Sequence, residues 1–114
     1  MDKRLEDALA FANYRLTLQI QRQNIEARVE AGLLLSYQNA IFKVTQELIA
    51  FVGIKTMRSG QLLVEDQSGN VIVIADNVDF LTQLEATYDS AMELKQQELA
   101  KLKSARSTAK IVGL

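Results

Sequence analysis

The chain has 114 residues, of which 48% are hydrophobic and 24% are charged, and its net charge is −1. This length suits one domain and the composition is that of a globular protein, so we predict a single domain over residues 1–114. Cysteine and histidine are both absent, which excludes disulfides, thiolate and imidazole metal ligands, and the usual nucleophile–base pairs. The charged start leads to no signal-peptide core, and no apolar run approaches the roughly 20 residues of a membrane span. We therefore expect a cytoplasmic protein that does not contact a membrane.

The first predicted element is a long helix from Asp2 to about Glu30. Its apolar residues recur at spacings of three and four, which is the period of a helix, and they form two stripes. The first stripe, which we expect to face the core, consists of Leu5, Ala8, Leu9, Ala12, Leu16 and Ile20. The second stripe consists of Phe11, Tyr14, Leu18, Ile25 and Val29. A monomer needs only one buried helix face, so the second stripe predicts an interface with another copy of the chain.

Residues 33–59 admit two interpretations. In the favoured one, Gly32 ends the first helix, and two strands on either side of a turn at residues 38–40 form a hairpin. Thr45 then caps a short helix from Gln46 to about Met57, which Ser59 and Gly60 close. The alternative is a continuous helix to about residue 52, on the three-four spacing of Leu34, Tyr37, Ile41, Val44, Leu48 and Phe51.

A second hairpin is the clearest local pattern in the chain. The segments 61–66 and 71–75 are apolar and β-branched, and the turn between them contains Gly69 and Asn70. Asp76 or Asn77 is placed to cap a last helix that runs to about Ala105. The buried side of this helix is predicted to carry Leu81, Leu84, Tyr88, Ala91, Met92, Leu99 and Leu102. The fold class is therefore α+β: long helix, hairpin, short helix, hairpin, long helix, with both hairpins in one small antiparallel sheet and the helices on one face of it.

No pattern in the sequence indicates catalysis. Glu65 with Asp66, and Asp76 with Asp79, are carboxylate pairs that could hold a metal ion, but their positions favour a turn and a helix cap. The five glycines form no phosphate-binding motif. We therefore predict a protein that is not an enzyme and that has no cofactor or metal.

The C-terminal segment from Leu99 onwards is basic. It contains Lys101, Lys103, Arg106 and Lys110 and no acidic residue, so it carries +4 and the remainder of the chain carries −5. Such a helix end can bind phosphates, which makes these four residues a candidate nucleic-acid contact. Cations near a helix C-terminus also offset the helix dipole, and the segment lacks interleaved aromatic residues, so the structural interpretation is favoured.

Three segments carry a resemblance to a known group of proteins: LEDALAFANYRLTLQIQRQN, FKVTQELIAFV and ELAKLKSARS. Together they resemble small proteins of T-even-like bacteriophages, including marine cyanophages, whose function is unknown. The resemblance implies a virus-encoded protein made in the host cytoplasm, with other phage or host proteins as possible partners. The continuous-helix interpretation of residues 33–52 would instead resemble the helix–hairpin–helix of prefoldin-type chaperones. From all of this we expect an interaction or assembly protein that forms homo-oligomers, with accessory nucleic-acid binding as the alternative.

Overall fold

A computed structural model describes the backbone of residues 2–111 and the side chains of residues 2–105. The elements follow one another as α1 (Lys3–Gly32), β1 (Leu34–Tyr37), β2 (Ala40–Lys43), α2 (Gln46–Met57), β3 (Leu63–Glu65), β4 (Val71–Val73) and α3 (Asn77–Ile111). The predicted α+β class and the order of the elements are confirmed. By its internal contacts the chain divides into two compact units: a helical unit, Met1–Arg28 with Leu94–Leu114, and a middle unit, Val29–Glu93.

The hairpin interpretation of residues 33–59 is correct, and residues 33–52 do not form a continuous helix. β1 and β2 pair antiparallel, with Leu35 opposite Phe42 and Tyr37 opposite Ala40. Gln38 and Asn39 make the two-residue turn with φ angles of 49° and 61°, the conformation that suits the right-handed twist of paired strands. Gly32 remains inside α1 without a positive φ, so it is not the left-handed cap that the sequence predicts.

The short helix α2 begins and ends as its capping residues predict. The hydroxyl of Thr45 accepts a hydrogen bond of 3.1 Å from the backbone N–H of Leu48. At the other end the left-handed conformation belongs to Ser59, with φ 52°, and the N–H of Gly60 bonds to the carbonyl of Lys55 at 3.2 Å. This arrangement satisfies carbonyl groups that a helix end leaves without partners.

The second hairpin forms a sheet of its own. β3 and β4 pair antiparallel, with Leu63 opposite Val73 and Glu65 opposite Val71. The prediction of one sheet is wrong, because the two hairpins form separate two-stranded sheets. Among the described residues, one backbone hydrogen bond links the two hairpins, from the N–H of Gln67 to the carbonyl of Ile41 at 2.8 Å, and it does not make a ladder.

The core of the middle unit lies where the inner faces of both hairpins meet α2 and α3. Its fully buried side chains are Phe42, Val44, Val52, Leu62, Phe80 and Leu84. Phe80 packs against two other rings: its ring centroid is 4.8 Å from that of Tyr37 and 5.1 Å from that of Phe42. Edge-on and tilted ring pairs at these distances stabilise beyond the area they bury. Phe80 was not among the residues that helical spacing predicted to be buried.

In the helical unit, α1 and α3 are joined by two ion pairs. Arg28 Nη2 lies 3.2 Å from Glu98 Oε2, and Lys95 Nζ lies 3.7 Å from Glu26 Oε1. Both pairs are partly exposed, so each contributes up to about 1 kcal/mol.

Candidate interaction surfaces

The sequence predicts that the first apolar stripe of α1 is buried and the second is exposed, but most of the second stripe is the less exposed of the two. Ile25 and Val29 are only 4% and 3% exposed, and Tyr14 and Leu18 are half-buried. Phe11 alone of the second stripe is well exposed, at 58%. The prediction that a monomer leaves this stripe in water is therefore wrong for Ile25 and Val29. The large residues of the first stripe are the exposed ones, at 47–54%: Leu5, Leu9, Leu16 and Ile20.

A groove runs along the helical unit between α1 and α3. Its apolar lining consists of Phe11, Tyr14, Leu18, Leu99 and Leu102. Its polar lining consists of Arg15, Gln19, Arg22 and Lys103, so it includes three cations and no carboxylate. The Arg15 guanidinium lies 5.9 Å from the centroid of the Phe11 ring, within the range of a cation–π contact.

The predicted basic patch of α3 is only partly described. Lys101 Nζ lies 3.7 Å from Glu98 Oε1, an exposed i,i+3 pair on the same helix. Lys103 lines the groove. The side chains of Arg106 and Lys110 lie outside the described residues. Of the four candidate nucleic-acid contacts, Lys101 therefore has a carboxylate partner and Lys103 belongs to a surface shared with α1.

The second hairpin presents an apolar face to solvent. Leu63 and Val73 are direct cross-strand partners and are 50% and 53% exposed, and Val71 on the same face is 65% exposed. Glu65, opposite Val71, is the charged residue of this face. An outward face on an antiparallel hairpin usually carries polar residues, so three exposed aliphatic residues on three-residue strands are unusual.

The outer edge of β4 is partly covered by one side chain. Backbone bonds join Ile74 to Leu62 and Asp66 to Asn70, so the N–H and C=O groups of Val71 and Val73 point away from β3. The Gln38 amide donates to the carbonyl of Val73 at 2.9 Å and accepts from the N–H of Ala75 at 2.9 Å. Among the described residues, no hydrogen bond reaches the N–H or C=O of Val71 from this side.

Other apolar residues of the middle unit are also exposed. On the first hairpin these are Leu34 and Ile41. On α2 they are Phe51, Ile54 and Met57, spaced three apart on one helix face, with Met57 87% exposed. Large exposed apolar surfaces on a folded unit indicate contacts with other macromolecules.

A polar cluster at the start of α3 has a structural role. The Tyr37 hydroxyl donates a hydrogen bond of 2.9 Å to Asp79 Oδ2, which also accepts from Gln83 Nε2 at 3.1 Å. Burial of the ring raises the pKa of Tyr37, and the hydrogen bond to Asp79 and the charges of Asp79 and Asp76 raise it further. The raised pKa makes this hydroxyl a weaker acid than an ordinary tyrosine.

The two carboxylate pairs are explained by local structure. Asp66 Oδ1 accepts from the N–H groups of Ser68 and Asn70 at 3.0 and 2.8 Å, which fixes the turn of the second hairpin. Asp76 Oδ1 accepts from the N–H of Asp79 at 3.1 Å and caps α3. Within the described part of the chain, no three Asp or Glu side chains cluster in a way that could hold a metal ion.

Over residues 2–111, none of the helices combines the length and the apolar character that crossing a membrane requires. Comparison of the chain with protein-family models, with curated proteins and with solved structures finds no match. The interaction surfaces described above are therefore the basis for assigning a function.

Proposed function

We propose that this is a non-enzymatic assembly protein that forms homo-oligomers through the second hairpin of its middle unit. The observation that carries the proposal is the exposure of Leu63, Val71 and Val73 on one face of that hairpin. Burial of apolar surface contributes about 25 cal/mol per Å², so covering this face with another protein surface is favourable.

The unpaired edge of β4 supports the same surface. Exposed strand edges are templates for pairing with another strand, and proteins that stay monomeric usually protect them with charged residues, proline or bulges. The strand β4 has the sequence Val-Ile-Val and none of these three features, and its edge is limited only by its length of three residues and by the bonds of Gln38 at Val73 and Ala75. A strand from another molecule can therefore pair with it at Val71.

A second copy of the chain fits this edge by symmetry. If two β4 strands pair antiparallel about a two-fold axis at Val71, each Val71 donates its N–H to the other Val71 and accepts in return. The arrangement uses the backbone groups that have no partner and leaves both hydrogen bonds of Gln38 intact. The outward faces of the two hairpins then form one continuous apolar surface that remains exposed. Further copies are needed to cover it, so we expect a complex larger than a dimer.

Sedimentation equilibrium of the full chain at about 1–100 μM tests the proposal. Val71→Lys should reduce the average mass towards that of the monomer, because it places two lysines directly opposite each other across the two-fold axis, where like charges destabilise strand pairing. The monomer should tolerate this change, since Val71 is exposed and lies opposite Glu65, which favours a lysine partner. Ser68→Lys, which adds the same charge in the exposed turn of the same hairpin, should leave the mass unchanged. A monomeric wild-type chain, or equal effects of both substitutions, would contradict the proposal.

A further inference from the structure

We infer that the groove of the helical unit binds an amphipathic helix of a partner protein that has acidic residues beside its apolar face. The groove lies in a different unit from the second hairpin, so this inference is independent of the proposed self-assembly. It rests on the chemistry of the lining residues in α1 and α3.

The floor of the groove suits aliphatic side chains. Leu18, Leu99 and Leu102 are half-buried, and they supply apolar surface from both helices. The groove follows α1 from Phe11 to Arg22, a length of about 17 Å at 1.5 Å per residue. This corresponds to about three turns of a docked helix, which can place residues at i, i+3, i+4 and i+7 against the floor.

The charges of the groove determine the kind of helix. Arg15, Arg22 and Lys103 line it, and none of them makes an ion pair with a described carboxylate. By contrast, four other cations of the chain do have carboxylate partners: Arg28, Lys43, Lys95 and Lys101. Three unpaired cations beside an apolar floor attract glutamate and aspartate residues and disfavour a basic helix.

The aliphatic floor also distinguishes a peptide from nucleic acid. Single-stranded nucleic acid is held by aromatic side chains on which its bases stack. Of the two aromatic residues in the groove, only Phe11 is well exposed, and its ring is already in contact with Arg15. The three leucine side chains that line the groove therefore favour the apolar face of a helix.

Fluorescence anisotropy with three labelled probes tests the inference on the full chain. The first probe is a peptide of about 18 residues with leucine at helical spacing and glutamate on both flanks. The second has lysine in place of glutamate, and the third is an oligothymidylate of similar length. We expect the glutamate peptide to bind and the lysine peptide to bind at least about tenfold more weakly.

Two double variants that change the net charge equally locate the site. Arg22→Glu with Lys103→Glu should weaken binding of the glutamate peptide by at least about tenfold. Lys3→Glu with Arg58→Glu, which alters cations outside the groove, should change it by less than about twofold at physiological ionic strength. Equal losses in both double variants, or equal binding of the two peptides, would overturn the inference. Tighter binding of oligothymidylate that only the groove variant abolishes would also overturn it, and would assign the groove to nucleic acid.

Discussion

The hydroxyl of Tyr37 donates a hydrogen bond of 2.9 Å to Asp79 Oδ2, and this bond links the end of β1 to the first turn of α3. The ring of the same tyrosine packs against Phe80, the next residue after Asp79. One side chain thus contributes both a polar and an apolar contact between elements that are about 40 residues apart in the chain.

Tyr37→Phe should lower the free energy of unfolding at pH 7 by about 1 kcal/mol, because it removes the hydrogen bond and keeps the ring. Urea denaturation measures this loss. Tyr88→Phe is the matched control, since the Tyr88 hydroxyl makes no hydrogen bond within the described residues and its removal should change stability little. Equal losses in the two variants would show that the bond to Asp79 contributes nothing.

The same tyrosine should make stability depend on pH in the alkaline range. Its pKa is raised in the folded protein above the ordinary value of 10.0. Above that pH the unfolded chain loses the proton first, so the contribution of Tyr37 is complete below pH 10.0 and declines as the pH rises through the folded pKa. The unfolding free energy of Tyr37→Phe should therefore fall less steeply above pH 10.0 than that of the wild type. Parallel pH profiles would contradict this.

Replacing isoleucine with alanine at two positions of α1 distinguishes its buried face from its exposed face. Ile25→Ala should lower the free energy of unfolding by about 2–4 kcal/mol, because it leaves a cavity at a buried position. Ile20→Ala, five residues away on the exposed stripe, should change it by less than about 0.5 kcal/mol. Urea denaturation of both variants is the measurement, and a reversed order would restore the face assignment that the sequence predicts.

Local signals in the sequence predicted most of the secondary structure. Asn39, Thr45 and Gly69 determine a turn, a cap and a second turn through interactions within a few residues, so the hairpins and α2 could be located without tertiary information. The covered face of α1 could not be predicted, because both stripes have similar apolar character and the choice depends on where α3 packs. The bonds of Gln38 to Val73 and Ala75 have no local signal at all, since 35 or more residues separate the partners.

Gly69 and Gly53 should respond in opposite ways to replacement by alanine. Gly69 has φ 86°, a conformation that side chains disfavour, so Gly69→Ala should cost about 1–2 kcal/mol. The nearest atom to an added Cβ is Glu65 Oε1 at 3.6 Å, so the cost comes from the backbone and not from a clash. Gly53 lies inside α2 with no atom near an added Cβ, so Gly53→Ala should stabilise by about 0.5–1 kcal/mol. Thermal unfolding measures both changes, and shifts of the same sign would refute the backbone explanation.

Gln38→Ala should both weaken the middle unit and expose more of the edge of β4. The Gln38 amide fills the two backbone positions that an added strand would use at Val73 and Ala75. Its loss should lower the free energy of unfolding by about 1 kcal/mol, because the two bonds are exposed to solvent. It should also lengthen the unpaired edge and increase self-association.

The neighbouring turn residue provides the control for this prediction. Gln38 and Asn39 both have positive φ angles, so alanine is strained at either position. Asparagine tolerates this conformation better than glutamine does, so the strain added by Asn39→Ala should be larger than that added by Gln38→Ala. The Asn39 side chain makes no hydrogen bond within the described residues, so Asn39→Ala should leave the edge of β4 covered. Sedimentation equilibrium should therefore show a higher average mass for Gln38→Ala than for Asn39→Ala at the same concentration. Equal masses would mean that the amide does not protect the edge, and that the strand is limited by its length alone.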